Sequence, residues 1–157
     1  MGKYEKIGWW LTIIISGLIL FSVFLAPLFY NRQPTLSAFI YLLYSPLCHQ
    51  QPSRSYFIFG HQLAVCSRCL GIYAGFFLSA LIYPIWKRKL TGWISSRPML
   101  IIVSAIPMGI DFFSNLLGIA SSPLWIKTIS GVIWSAIIPF FWFKAISELA
   151  DRLSTKF

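Results

Sequence analysis

All three cysteines and both histidines of this chain fall between Cys48 and Cys69. They sit in the run Cys48-His49-Gln50-Gln51-Pro52-Ser53-Arg54-Ser55, then Gly60-His61, then Cys66-Ser67-Arg68-Cys69-Leu70-Gly71. Thiolate and imidazole are the donors that zinc and other borderline metals prefer. A Cys-x-x-Cys at a helix N-terminus sets two sulfurs on one face, one turn apart. Two arrangements follow. In the first, Cys48, His49, Cys66 and Cys69 close a tetrahedron that staples a loop to the next helix. In the second, the three thiolates hold the ion while His49 or His61 acts as a base beside an open position. Neighbours such as Cys48 and His49 project in different directions on most backbones, which favours the second. Zinc is the metal these donors suit best, iron and copper being compatible with them.

Thiol redox is the rival chemistry. A Cys-x-x-Cys at a helix start beside Arg68 is expected to favour thiolate, and in an oxidising compartment Cys66 and Cys69 would cycle between disulfide and dithiol with Cys48 as a third exchanging thiol. The motif lies outside any thioredoxin-like strand and helix pattern, however, and redox gives His49 no task.

These side chains must be positioned by a chain of unusual composition. It has 157 residues, 57% of them hydrophobic and only 11% charged, with a mean hydropathy of +0.73. A soluble domain carries about 25% charged residues. The expectation is therefore an all-α integral membrane protein with the lipid bilayer as its first partner. Glu5, Asp111, Glu148 and Asp151 are its only acids, which excludes any mechanism needing several carboxylates.

Four spans are expected, at about residues 8–30, 63–86, 98–118 and 124–147, in one membrane domain covering 1–157. Residues 31–62 form the loop that carries the chemistry. Within it, Leu36 to Leu47 is apolar for 12 residues, too short to cross, and reads as a short interfacial helix that lies along the surface or dips in. The first span ends in Pro27, Leu28, Phe29 and Tyr30 rather than in small residues, so it reads as retained rather than as a cleaved signal.

The net charge of +9 would suggest nucleic acid if the bases formed a patch, but they fall between apolar runs, and no nucleic-acid-reading module is present. With both termini cytoplasmic, Lys3, Lys6, Lys87, Arg88, Lys89, Arg97, Lys144, Arg152 and Lys156 lie inside, nine of the thirteen bases. Arg32, Arg54, Arg68 and Lys127 lie outside. That asymmetry predicts a cell-membrane protein, N-in and C-in, with the Cys/His loop extracytoplasmic.

Small residues at four-residue spacing, Gly71, Gly75 and Ser79 and then Gly131 and Ser135, suit close helix packing within the bundle or between copies in a homo-oligomer. Asp111 interrupts the third span, roughly 10 Å below its outer end at 1.5 Å per residue. A carboxylate there needs a proton, a cation or water. Lys127 is its nearest expected cation, with Arg54 and Arg68 as alternatives if the loop folds down. Asp111 then reads as a buried ion pair, or as a proton carrier or partner of a metal-bound histidine. Arg54, Arg68 and Lys127 read as headgroup contacts or as the walls of a site for an anionic or lipid-derived substrate. No Walker loop, dinucleotide fingerprint, Gly-x-Ser-x-Gly or His-Glu-x-x-His is present.

The run Cys48, His49, Gln50, Pro52, Arg54 and Ser55, followed by Gly60 and by Cys66, Arg68, Cys69, Gly71, Tyr73 and Gly75, resembles a family of prokaryotic membrane proteins called domain of unknown function 2085. The resemblance covers about residues 38–135 and extends to Pro107, Asp111, Lys127, Thr128 and Gly131. It implies a multi-pass membrane protein and brings no activity with it. His61 stands outside the family pattern and so ranks below His49 as a ligand. Three functional readings remain: metal-assisted hydrolysis or group transfer, a metal-carrying or structural membrane module, and thiol–disulfide exchange.

Overall fold

In the computed structural model, residues 3–86, 90–118 and 122–154 are described. Lys87, Arg88, Lys89 and Lys156, all read from the sequence as cytoplasmic, lie outside them. The described chain folds into α1 (Lys3–Phe29), α2 (Pro34–Tyr44), a 3-10 turn (Pro52–Arg54), β1 (Phe57–Ile58), β2 (His61–Gln62), α3 (Ser67–Trp86), α4 (Gly92–Ser95), α5 (Met99–Leu116), α6 (Leu124–Ser135) and α7 (Ile138–Ser154). Among the described residues, four stretches are long and apolar enough to cross a membrane: Glu5–Phe29, Ser67–Ile85, Met99–Leu116 and Leu124–Leu149. This is the expected all-α architecture with four spans.

Large apolar side chains cover the outside of the bundle, among them Leu18, Phe21, Ile85, Ile110 and Leu116. In water such a surface would drive aggregation, whereas in lipid it faces its own kind. Helices are the natural element here because hydrocarbon offers no partner to an open backbone N–H or C=O.

Pro84 removes a backbone donor within its span, and a side chain from a neighbouring helix repairs the loss. Pro84 cannot donate to the carbonyl four residues earlier, at Ala80; the Trp9 indole N–H donates to that oxygen instead, at 2.8 Å. The fourth span is not one continuous helix. It breaks between α6 and α7, just before Pro139, and the Ser79 hydroxyl donates to the Ala136 carbonyl at 2.5 Å.

Two further features of this region matter for the site. First, α3 starts at Ser67 rather than near Leu63. Leu63, Ala64 and Val65 are buried in the loop's own core with Val23, Ala26, Ile40, Tyr44 and Cys48. Their apolar character reflects burial by protein, not helix. Second, of the two positions expected for α2, along the surface or dipping in, it takes the second and folds back along α1. The Ser37 hydroxyl donates to the Ala26 carbonyl at 2.8 Å, and the Tyr44 hydroxyl to the Ile19 carbonyl at 2.8 Å. Later α2 residues meet earlier α1 residues, so the two run antiparallel. Ile19 lies ten residues before Phe29, so Tyr44 ends about 15 Å down α1 at 1.5 Å per residue. The outward residues of α2, Leu36, Phe39, Leu42 and Leu43, are apolar and exposed, as a dipping helix requires.

The longest helix contact is between α3 and α6. It depends on glycine. A Cβ on Gly71 would overlap the Thr128 carbonyl, one on Gly75 would lie 2.8 Å from the Val132 Cα, and one on Gly131 would lie 2.5 Å from the Arg68 carbonyl oxygen. Backbone thus meets backbone, and Arg68 is brought level with Lys127 and Thr128.

Candidate metal centre

Two segments deliver the sulfurs. After α2, the Cys48 N–H bonds the Tyr44 carbonyl at 2.9 Å, which turns Cys48 inward to 5% exposure. Gln50, two residues on, takes a left-handed backbone with φ 48°, which bends the chain away. On the other side Cys66 stands immediately before α3, its carbonyl accepting the Leu70 N–H at 2.9 Å. Cys69 is therefore one turn into the helix, on the same face. The sulfurs of Cys48, Cys66 and Cys69 all lie within 4.8 Å of one another, and all three cysteines are free thiols.

The loop is held by amides and hydroxyls. Gln50 Nε2 donates to the Tyr41 carbonyl at 2.7 Å, and Gln62 Nε2 donates to the Gln50 carbonyl at 2.5 Å. The Tyr41 hydroxyl donates to the Gln62 carbonyl. The β1–β2 hairpin turns through Phe59 and Gly60, both at positive φ, as a two-residue turn requires. Tyr56 ties the loop to α6 by a 3.0 Å hydrogen bond between its hydroxyl and that of Thr128.

The donor set fits a thiophilic ion. The Cys66 backbone N–H donates to Cys48 Sγ at 3.1 Å. The Cys48 thiol is held well below the ordinary thiol range by hydrogen bonds from Cys66 and Cys69, with the backbone N–H groups of Cys66 and Gln50 adding to them, against the burial that would raise it. An anionic sulfur is the form a metal takes up. Tetrahedral zinc with Zn–S bonds of about 2.3 Å places its sulfurs about 3.8 Å apart. Closing the three sulfurs onto an ion therefore asks for shifts of no more than about an ångström.

His49 lies outside the sulfur cluster. Of its two expected roles, fourth ligand and base, the first needs it beside the sulfurs, and among the described residues the metal-holding group contains the three cysteines without it. Inward rotation of Cys48 sends its neighbour outward, and His49 is exposed. It does line a cavity of about 460 Å³ with the three cysteines' Cys48, Cys66 and Cys69 side, together with Arg54, Arg68, Phe112 and Leu116. His61 is further off in role: its ring stacks on Tyr30 at 4.0 Å between centroids.

Asp111, in α5, is 5% exposed. Lys127 is the nearest cation expected from the sequence, with Arg54 and Arg68 as alternatives if the loop folds down, and the structure pairs Asp111 with Arg68, whose Nε donates to Oδ2 at 2.7 Å and whose Nη2 donates to the same oxygen. The loop does fold down, so the arginine at the start of α3 reaches α5 before the shorter lysine does. Asn115, one turn along α5, donates to Asp111 Oδ1 at 3.1 Å; the i, i+4 spacing was the sequence signal for this partner. Lys127 is buried at 4% exposure, within electrostatic reach of Asp111, Arg68 and Arg54. Arg54 lies on the 3-10 turn at the cavity wall. Sequence reasoning also missed Phe112 and Leu116, whose apolar character in a span carries no sign that they border a polar site.

Residues 48–141 match the family described as predicted membrane protein (DUF2085). A protein of Methanocaldococcus jannaschii named as uncharacterized is 39% identical over 140 residues, covering 85% of this chain and 89% of its own length. Another, from Methanothermobacter thermautotrophicus, is 38% identical over 79 residues, which is 48% of this chain and 66% of its own. No solved structure matches.

Proposed function

We propose that this chain, which belongs to the DUF2085 family of predicted membrane proteins, is a membrane metal protein whose Cys48, Cys66 and Cys69 thiolates hold a zinc ion with one position left toward the cavity. The observation that carries the reading is the convergence of three sulfurs within 4.8 Å, one of them buried and hydrogen-bonded by a backbone N–H. Zinc bound there supplies Lewis acidity at the cavity floor. The chain's own residues have separate tasks. Arg54 and Arg68 bind and orient an anion, His49 at the rim accepts or returns a proton, and Asp111 holds Arg68 in place. The reaction class this supports is hydrolysis or group transfer on an anionic or lipid-derived substrate. The charge asymmetry of the sequence supports N-in, C-in topology, with the site extracytoplasmic.

Metal analysis and thiol titration on protein purified without chelator test this reading. The expected result is about one zinc per chain, no disulfide, and thiols that react fully only after chelation. Cys69→Ser brings the zinc close to zero, whereas His49→Ala keeps it and leaves the melting temperature unchanged. A metal-free protein with a reducible Cys66–Cys69 bridge overturns the reading in favour of thiol exchange. An impermeant thiol reagent, applied after chelation, should label from the extracytoplasmic side; labelling from the cytoplasm reverses the topology.

A further inference from the structure

The charges around the cavity do not balance. Arg54, Arg68 and Lys127 converge on a region that holds one carboxylate, Asp111. Arg68 and Asn115 occupy that carboxylate, and Lys127 makes no ion pair or hydrogen bond through its ammonium with another described residue. Two positive charges are therefore without a carboxylate, and one of them, Lys127, is 4% exposed, where a lone charge is costly. Three thiolates on a divalent ion carry one net negative charge, which leaves one positive charge over. A bound anion offsets what remains.

The same cavity has an apolar side. Leu47, Phe112 and Leu116 border it and are exposed to 68%, 46% and 65%. Phe112 and Leu116 belong to α5, an apolar helix long enough to cross a membrane and with most of its large apolar side chains outward, so the cavity borders that outer apolar face as well as the loop. An occupant that satisfies both sides has an anionic head and an alkyl chain. Two guanidinium groups are satisfied together by an acceptor with three oxygens, which a phosphate offers and a carboxylate does not.

We infer that this cavity binds a membrane phosphate ester: the phosphate on Arg54 and the free edge of Arg68, with the charge of Lys127 behind them, and the alkyl chain along Phe112 and Leu116. This deepens the metal reading and rests on it for a single unit of charge. The test is titration of dodecyl phosphate into the full chain in dodecyl maltoside, followed by calorimetry, with zinc measured on the same sample.

Dodecyl phosphate should bind saturably and at least tenfold more tightly than inorganic phosphate or dodecanoate. Arg54→Gln should weaken it at least tenfold with zinc content and melting temperature unchanged, and Arg54→Lys should restore part of the loss. Leu116→Ser should weaken the alkyl phosphate while leaving inorganic phosphate as it was. Inorganic phosphate binding as tightly as the alkyl ester, dodecanoate doing so, or an Arg54→Gln variant indistinguishable from the parent would each overturn the inference. A zinc-free sample that still shows Arg54-dependent binding would sink the metal reading and leave this one standing.

Discussion

Asp111→Ala should destabilise the bundle by about 3–5 kcal/mol, because it strands a guanidinium inside the protein with no counter-charge. Arg68 and Asp111 have side chains exposed to only 14% and 5%, so water replaces the lost carboxylate poorly. Lys127 loses its nearest negative charge in the same step, which adds to the cost. Removing both members of the pair is a different matter. In Arg68→Met with Asp111→Leu, apolar side chains of similar size fill the space and most of the stability returns, since a buried pair breaks roughly even against a hydrophobic replacement. Unfolding in detergent micelles measures both variants. An alanine variant as stable as the parent would mean that the pair is solvated and that the charge argument for the cavity is wrong.

Gly71→Ala should cost about 3 kcal/mol, the upper part of the range for overpacking. The new Cβ meets the Thr128 main chain, its carbonyl carbon at 2.9 Å, and backbone cannot rotate aside as a side chain can. The helices must part, and the Tyr56–Thr128 hydrogen bond that anchors the loop parts with them. The zinc content of this variant should therefore fall along with its melting temperature. Gly109 is the internal control. It lies in α5 with open space where its Cβ would be, so Gly109→Ala should be neutral or gain up to about 1 kcal/mol from reduced backbone freedom. Equal melting temperatures for the two variants would refute the close approach of α3 and α6.

The readable and the unreadable parts of the site differ in kind. The clustering of Cys48, Cys66 and Cys69 with two histidines was plain from residue types alone, and the Cys-x-x-Cys spacing set two sulfurs on one helical face. The absence of His49 from that cluster was not plain, because it depends on the inward turn of Cys48 and the left-handed backbone at Gln50. Asp111 was conspicuous as the lone acid in its span. Its choice of Arg68 over Lys127 was not, because sequence distance says nothing of how far a loop folds back into a bundle.

The glycines are a middle case. Their four-residue spacing pointed to close packing, but not to which partner helix; only the fold showed that Gly71, Gly75 and Gly131 face one another across α3 and α6.

The sequence by itself determined the membrane helices and the elements available for ligation. A segment in hydrocarbon must satisfy its hydrogen bonds within itself, so length and apolar composition are enough to define it. Ligand preference likewise belongs to the side chain. The tertiary structure alone decided the dip of α2 beside α1, the partner of each charge, and the joining of thiols, guanidiniums and two lipid-facing side chains around one cavity. Those outcomes depend on how closely helices approach and which way each side chain turns, quantities set by packing between segments far apart in the chain.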